Sequence, residues 1–391
     1  MDKKSILLGI SGGIAAYKMA HVASSLTKEG HDVHVVMTES AQWFITPTTF
    51  RAITGLPVET DLFTEPEKHE VKHISLADKT DLVLLGPATA NIIGKIANGI
   101  ADDLLTTLMT AVRAPVLIAP AMNVNMYNNS IVQDNISYLK EKGYKFISPS
   151  EGMLACGYTG KGRLPEPEVL LEYIYKELTK KDLENKKILI TAGPTREIID
   201  PVRYITNNSS GKTGFALAKQ ATYRGAKVTL ISGPTDLQPP IGVNFIKINS
   251  ANDLYKQVMG SYKDFDIIIM AAAVADFTPE KFCENKIKKA KEENLTINLK
   301  RTKDILSELS KKISDNQKLV GFAAESENLI ENAKSKLKRK NLDMIVANDI
   351  KNNDIFGSNQ SEVIILTKDS QLNIERSSKE VIADKILDTL I

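Results

Sequence analysis

K-S-I-L-L-G-I-S-G-G-I-A-A-Y-K-M-A-H-V-A-S-S-L-T-K, residues 4–28, joins a short apolar run to an amphipathic stretch through Ser11-Gly12-Gly13. Ser5 to Ile10 reads as a buried strand. Ile14 to Lys28 reads as a helix whose apolar face carries Ile14, Met19, Val22, Ala23 and Leu26. A strand, a glycine turn and a helix N-terminus in succession bring exposed N–H groups and the positive end of the helix dipole to one place, the geometry of an anion site. The glycine spacing is not G-x-G-x-x-G, so the dinucleotide fingerprint is absent. A bound phosphate and a plain tight turn both remain open readings.

The pattern then repeats. His31 to Met37 predicts a second strand, followed by the hydroxyls of Thr38 and Ser40, which either cap a helix or bind a ligand. Asp81 to Leu85 predicts a third, running into Pro87-Ala88-Thr89-Ala90-Asn91, and Pro115 to Ala119 a fourth, running into Pro120-Ala121-Met122-Asn123. In an open parallel sheet the carboxyl ends of strands are where ligands sit. Helices over Ile92–Ala97, Asp102–Val112 and Ser130–Lys142 complete a doubly wound pattern, in either Rossmann-like or flavodoxin-like order. After the charged stretch Lys180–Lys187 it starts again. Strands are expected over Ile188–Thr191, Lys227–Ser232, Asp266–Met270, Leu319–Ala323 and Met344–Ala347, with helices over Phe215–Arg224 and Ser378–Leu390. The fold class is therefore α/β: two Rossmann-like or flavodoxin-like doubly wound domains with mainly parallel sheets. The boundaries are 1–178, a linker at 179–187, and 188–391.

The totals agree. A chain of 391 residues is long enough for two or three domains, and 42% hydrophobic with 25% charged residues is ordinary for a soluble globular protein. A net charge of +2 argues against a protein built to hold nucleic acid. The longest apolar run, Ile267–Ala275, is about half of what a membrane span needs. The opening residues read as a strand entering a turn rather than a signal peptide. Two cysteines, Cys156 and Cys283, are too few for a disulfide framework, so a reducing cytoplasm is expected.

Cys156 lies in E-G-M-L-A-C-G-Y-T-G-K-G-R, residues 151–163, where four glycines disfavour helix and strand alike. The stretch reads either as a flap bringing the thiol over a ligand or as a linker with an incidental cysteine. His73, in V-K-H-I-S-L, is a third polar candidate in the first half, and as a lone histidine is more often a surface or capping residue. In the second half Ser210-Gly211-Lys212-Thr213 is not a P-loop, because Thr206 stands where that motif needs glycine and the strand lies too far upstream. Ala271-Ala272-Ala273-Val274-Ala275-Asp276 allows close approach of a flat ring or sugar, or simply tight helix–sheet packing. Asn285–Lys289 and Lys336–Lys340 are basic segments; each alone suits a solvated face, and together they suit a triphosphate.

S-G-G-I-A-A-Y-K, H-I-S-L, P-A-T-A-N, P-A-M-N-V-N-M and L-A-C-G-Y-T-G-K-G-R resemble, in order and spacing, the flavin-containing cysteine decarboxylases, above all the phosphopantothenoylcysteine decarboxylases. The resemblance covers about residues 1–178. It implies FMN at a subunit interface of a trimer, its phosphate at Ser11, Gly12, Thr38 and Ser40. Flavin would oxidise the substrate's CH2–SH to a thioaldehyde that accepts electrons as CO2 leaves. By resemblance Cys156 is the acid, His73 a base or orienter, and Asn123 a clamp on the substrate carboxylate.

A-G-P-T-R-E, D-P-V-R-Y-I-T-N, A-A-V-A-D, K-I-K-K, G-F-A-A-E and K-R-K-N-L-D-M-I-V-A-N-D resemble the CTP-using phosphopantothenate–cysteine ligases over residues 187–391. The reaction implied activates the carboxylate of 4′-phosphopantothenate as an acyl-cytidylate, with pyrophosphate leaving, before the amine of cysteine displaces CMP. Lys286 would serve acyl-cytidylate formation and Asn207 hold the acyl carbonyl. Asp276, Phe322, Lys336 and Lys340 would bind CTP with Mg2+, and Arg203 would face the substrate phosphate or a partner subunit. No magnesium ligands are assigned, and Cys283 has no role. Partners are these small molecules, with no nucleic acid and no membrane. Trimeric decarboxylase and dimeric ligase contacts in one chain would close into a larger homo-oligomer, a dodecamer. Two rivals are a flavin prenyltransferase-like first domain and a non-catalytic flavin-binding regulatory one. Ala155-Cys156-Gly157 opposes the first, and retention of Cys156 and Lys286 the second.

Overall fold

The opening stretch folds into β1 (Ser5–Ile10), buried at every residue after Ser5, and the helix Ala16–Lys28. Each fully buried Ile or Leu there contributes about 1.5–3 kcal/mol. Met19, Val22, Ala23 and Leu26 are buried against the sheet, but Ile14 is 62% exposed. The helix begins only at Ala16, which leaves Ile14 on the turn. These coordinates come from a computed structural model that describes residues 3–63, 72–153, 159–288, 295–325, 327–349 and 357–391. The chain divides into two compact units, Met1–Thr179 and Lys180–Ile391.

In the first unit β2 (Asp32–Met37), β3 (Val58–Glu59), β4 (Leu82–Ala88), β5 (Val116–Pro120) and β6 (Lys145–Phe146) join β1 in one parallel sheet of order β3-β2-β1-β4-β5-β6. That is the Rossmann order. The edge strand Val58–Glu59 has only two residues, and without it the remaining strands read in flavodoxin order. The two alternatives open in the sequence therefore differ by one minimal edge strand. In both, strand order reverses between β1 and β4. Apolar side chains cover the two faces separately: Met19, Leu26, Leu170 and Ile174 on one, Ile92, Leu105, Leu108 and Ile136 on the other.

The glycine-rich stretch forms a hairpin rather than an irregular loop. β7 (Ser150–Met153) and β8 (Thr159–Arg163) pair antiparallel, with Met153 opposite Thr159. The five residues between them, Cys156 included, lie outside the described residues. Glycine is needed here for close approach rather than for a turn: a Cβ on Gly162 would stand 2.2 Å from the Met122 carbonyl oxygen.

The second unit repeats the plan. β9 (Lys187–Ala192), β10 (Arg196–Ile198), β11 (Tyr204–Thr206), β12 (Lys227–Ser232), β13 (Asn244–Lys247), β14 (Ile267–Met270), β15 (Phe277–Pro279), β16 (Leu299–Arg301), β17 (Lys318–Glu325), β18 (Met344–Asp349), β19 (Gln360–Thr367) and β20 (Gln371–Ser378) follow in order. The main sheet runs β13-β12-β9-β14-β17-β18-β19-β20. It is parallel from β13 to β18, again in Rossmann order, and the last two strands add an antiparallel hairpin. β10–β11 and β15–β16 are separate antiparallel pairs outside that sheet.

The charged stretch expected as a linker is mostly exposed and is pinned to the second unit at Asp182 and Leu183. Leu183 is 1% exposed in the core of the second unit, and Arg224 bonds Asp182 and Asp388 at 2.8 Å each. Among the described residues no helix is long and apolar enough to cross a membrane.

Candidate active sites

At the reversal point of the first sheet, Ser11 ties β1 to β4. Its hydroxyl donates to the Pro87 carbonyl at 2.7 Å and accepts from the Thr89 amide at 3.1 Å. Ser11 is 2% exposed, and both bonds hold its hydroxyl at the base of the turn. Above it opens a groove of about 470 Å³. Gly12, Gly13, Thr89, Asn123 and Gly162 reach its wall, from segments far apart in the sequence, together with the apolar Ile14, Tyr17, Met122 and Met126.

The helix Ala16–Lys28 begins at this groove with no side-chain cap; the Gly13 and Ala15 carbonyls take the Ala16 and Lys18 amides at 3.0 and 3.1 Å, and the positive end of the helix dipole remains to favour an anion. A Cβ on Gly12 would stand 2.6 Å from that of Ser40, which keeps the turn close against the loop after β2. Thr38 caps that loop, accepting from the Ala41 amide at 3.3 Å, and Ser40 is exposed. An uncapped helix end beside an apolar wall suits a phosphate carried by a flat ring, so the residues present fit FMN.

Asn123 caps the short helix Val124–Tyr127, its Oδ1 accepting from the Asn125 amide at 2.8 Å. The Met122 amide donates to the Gly162 carbonyl at 3.0 Å, docking the hairpin on the same loop. Lys18, 3% exposed, donates to the Leu164 carbonyl at 2.9 Å and pairs with Glu166 at 3.0 Å. The Lys18 hydrogen bond and charge draw the Glu166 carboxyl below the usual range. Lys18 thus anchors the exit of β8. His73 stands half-buried on the helix Lys72–Lys79 and does not line the groove.

In the second unit the loops after β9 and β14 are joined along the reversal point. Ala273 donates to the Gly193 carbonyl at 2.9 Å, and the Thr195 amide donates to the Ala273 carbonyl at 3.2 Å. The hydroxyls of Thr191 and Thr195 accept from the amides of Ala272 and Ala275 at 3.1 and 3.0 Å. Two adjoining cavities of about 510 and 520 Å³ share the wall formed by Ala272, Val274, Asp276, Phe322 and Lys336. Lys340 lines the first and Asn207 the second, where the Asn207 side chain donates to the Val274 carbonyl at 3.0 Å. The basic stretch at 336–340 ends the helix Leu329–Arg339: Ala333 and Leu337 are buried, while Lys336 donates to the Phe322 carbonyl at 2.9 Å.

Lys340 is held by Asp304, which sequence reading passed over. The ammonium bonds both carboxylate oxygens at 2.8 and 2.7 Å, and Asp304 also caps the helix Ile305–Ser310 through the Ser307 amide at 3.0 Å. Burial pushes the Asp304 carboxyl upward, but Lys340 and the Ser307 amide outweigh it and leave it below the usual range. A depressed carboxyl stabilises the fold above the unfolded value of about 3.9, and that contribution fades as pH falls further. Asp304→Ala is expected to lose about 1 kcal/mol of stability at neutral pH, the usual worth of a cap. In urea titrations the gap from the parent should close below about pH 4.

Lys286 and Arg203 do not reach the walls of these cavities. They lie together beside Asp200, whose carboxylate accepts from the amides of Val202, Arg203 and Ile287 at 2.8, 2.9 and 3.1 Å and pairs with the Arg203 guanidinium at 2.7 Å. Burial pushes the Asp200 carboxyl up, and these donors bring it below the usual range. Cys283 is exposed, and its amide donates to the Ile199 carbonyl at 3.1 Å.

Residues 1–179 match the family described as flavoprotein, and residues 183–391 the DNA/pantothenate metabolism flavoprotein C-terminal domain. The chain is 52% identical over 374 residues to the coenzyme A biosynthesis bifunctional protein CoaBC of Bacillus subtilis, covering 94% of this chain and 92% of that protein. It is 48% identical to the protein of the same name from Borreliella burgdorferi, covering 100% of both. Among solved structures, the C-terminal domain of a coenzyme A biosynthesis bifunctional protein CoaBC is 42% identical, covers 54% of this chain and 96% of that chain, and aligns with a TM-score of 0.47.

Proposed function

The chain belongs to the family of coenzyme A biosynthesis bifunctional proteins CoaBC, and on that premise we propose how its two units divide the chemistry. It is an enzyme with both decarboxylase and ligase activity, and a flavoprotein. The second unit ligates 4′-phosphopantothenate to cysteine: the carboxylate attacks the α-phosphorus of CTP, pyrophosphate leaves, and the cysteine amine displaces CMP. The first unit decarboxylates the phosphopantothenoylcysteine so formed to 4′-phosphopantetheine. FMN, when bound, supplies the electron sink that an α-amino carboxylate lacks.

Some of the roles are supported by placement on the cavity walls, and those of Cys156, His73, Lys286 and Arg203 by the resemblance alone. Gly12, with the uncapped helix end and the neighbouring Thr38–Ser40 loop, holds the FMN phosphate. Asn123, on the groove wall, clamps the substrate carboxylate. Cys156, in the segment between β7 and β8, returns a proton to the product, and His73 orients the substrate. In the second unit Asp276, Phe322, Lys336 and Lys340 bind CTP, Asn207 holds the acyl carbonyl, and Lys286 stabilises charge at the α-phosphorus as Mg2+ enters with the triphosphate. Arg203 faces the substrate phosphate or a partner subunit. A trimer through the first unit and a dimer through the second, closing as a dodecamer in the cytoplasm, complete the proposal. Trp43 and Phe63 (86% and 87% exposed) and Val202 (59% exposed) support such contacts.

The single observation that carries this reading is the groove at the β1/β4 reversal. Four separate segments of the first unit meet on a wall that suits a phosphate and a flat ring. The test is to incubate the purified protein with phosphopantothenate, cysteine, CTP and Mg2+ while following pyrophosphate and CO2. Both should appear, from a yellow protein. A colourless protein that FMN cannot reconstitute overturns the decarboxylase assignment, and no pyrophosphate with CTP overturns the ligase.

A further inference from the structure

Residues 162–164, where the chain leaves β8, form one wall of the first unit's groove and are hydrogen-bonded on both sides. Towards the loop after β5 the bond is between backbones, from the Met122 amide to the Gly162 carbonyl at 3.0 Å. A Cβ on Gly160 would come within 2.7 Å of the Val124 side chain, so the strand lies tight on that loop. Towards the helix Ala16–Lys28 the bond comes from a side chain. The Lys18 ammonium donates to the Leu164 carbonyl at 2.9 Å, across 146 residues of sequence, and meets Glu166 at 3.0 Å. The same Glu166 oxygen takes the Arg163 guanidinium at 2.9 Å. Lys18 thus joins the groove wall that carries Gly12 and Tyr17 to the wall that carries Gly162 and Leu164. The Met122 bond joins that second wall to the one that carries Asn123.

Stability does not account for a lysine here. Lys18 is 3% exposed and stands in the buried stripe with Val22 and Leu26, where an ammonium must give up its water and an apolar side chain need not. Replacing a buried ion pair by apolar groups of similar volume is often neutral or stabilising. Glu166 is exposed, so losing Lys18 would not strand it as a buried charge. What the ammonium adds over a methionine is direction. Its bond to one carbonyl sets the distance between two walls of the groove, and a misplacement of about 1 Å can cost about 10²-fold in rate.

We propose that Lys18 is a positioning residue for the decarboxylation. Through the Leu164 carbonyl and Glu166 it holds the 162–164 strap, and so the substrate between that strap and the Asn123 wall, at the spacing the reaction needs. Lys18 moves no proton, because its ammonium is already engaged by these two partners. This role rests on the decarboxylase reading above.

The test uses full-length, flavin-loaded Lys18→Met, Glu166→Ala and Glu166→Gln proteins with supplied phosphopantothenoylcysteine. In Lys18→Met, kcat for CO2 release per bound flavin should fall about ten- to 10²-fold, with KM within about threefold of the parent and flavin absorbance unchanged. Trypsin should cut after Lys161 and Arg163 faster than in the parent, because the bond from the strap to the helix is gone. Glu166→Gln keeps an oxygen for the ammonium and should stay within about threefold of the parent kcat, while Glu166→Ala should fall between Gln and Lys18→Met. Should Lys18→Met fail to fold, Glu166→Ala, at an exposed position, carries the test against Glu166→Gln. A parent-like kcat in Lys18→Met, a loss confined to KM, or a fall in kcat without faster cleavage overturns the proposal. Flavin lost in step with the rate also overturns it, by making Lys18 a residue of the fold alone. If the parent binds flavin but releases no CO2, the decarboxylase reading has itself failed and takes this proposal with it.

Discussion

A Cys156→Ser protein should keep its flavin and its ligase activity while CO2 release falls by roughly 10²- to 10⁴-fold, the range a positioned general acid contributes. The substitution conserves size and hydrogen bonding, but an alcohol is a far weaker acid than a thiol. The hairpin that carries the residue should survive, because its register is set by the pairing of Met153 with Thr159 and its docking by the Met122 amide on the Gly162 carbonyl. Neither involves the side chain at 156. Flavin absorbance, pyrophosphate release and CO2 release, measured on one preparation, separate lost chemistry from lost structure. A parent-like rate of CO2 release would remove Cys156 from the mechanism.

Lys286→Gln should have the opposite signature. Pyrophosphate release should fall by about 10²- to 10³-fold, the usual effect of removing one preorganised donor from a developing anion. Decarboxylation of supplied phosphopantothenoylcysteine should be unchanged. Lys286 is exposed and stands off the cavity walls, so its segment matters as much as its charge. That segment is tied down on both sides. The Cys283 amide bonds the Ile199 carbonyl, the Ile287 amide bonds Asp200, and the Arg203 guanidinium bonds the Ile287 carbonyl at 3.2 Å. Full ligase activity in Lys286→Gln would instead assign charge stabilisation to Lys336 and Lys340, which already line the cleft.

Most buried strands were legible because their apolar runs are short and bounded by turn residues. Lys227–Ser232 and Ser5–Ile10 form with the expected limits. The hairpin β19–β20 was not legible. Its last strand buries only Ile374, and an edge strand facing water on most positions carries no apolar alternation to detect. The glycine stretch before Arg163 misled for a different reason. Its glycines serve contact across space with the 122–124 segment, which local propensity does not encode.

Gly12, Asn123, Asn207, Asp276, Phe322, Lys336 and Lys340 all fall on cavity walls, whereas Ser11, Thr38, Ser40, His73, Arg203 and Lys286 do not. The residues that sequence reading passed over are charged ones that the fold buries or pairs. Lys18 gave a signal, standing in the helical stripe with Val22 and Leu26, where a solvated lysine has no place. Asp304 gave another, as an aspartate three residues before Ser307 at the start of a helix.

Ser11 in one sheet, and Thr191 and Thr195 in the other, lock the two sides of each crevice together before any ligand arrives. The ordering entropy of each binding floor is thus charged to folding rather than to catalysis. Substrates of both half-reactions meet surfaces already set, and accommodation to them falls to the hairpins and segments laid over those floors.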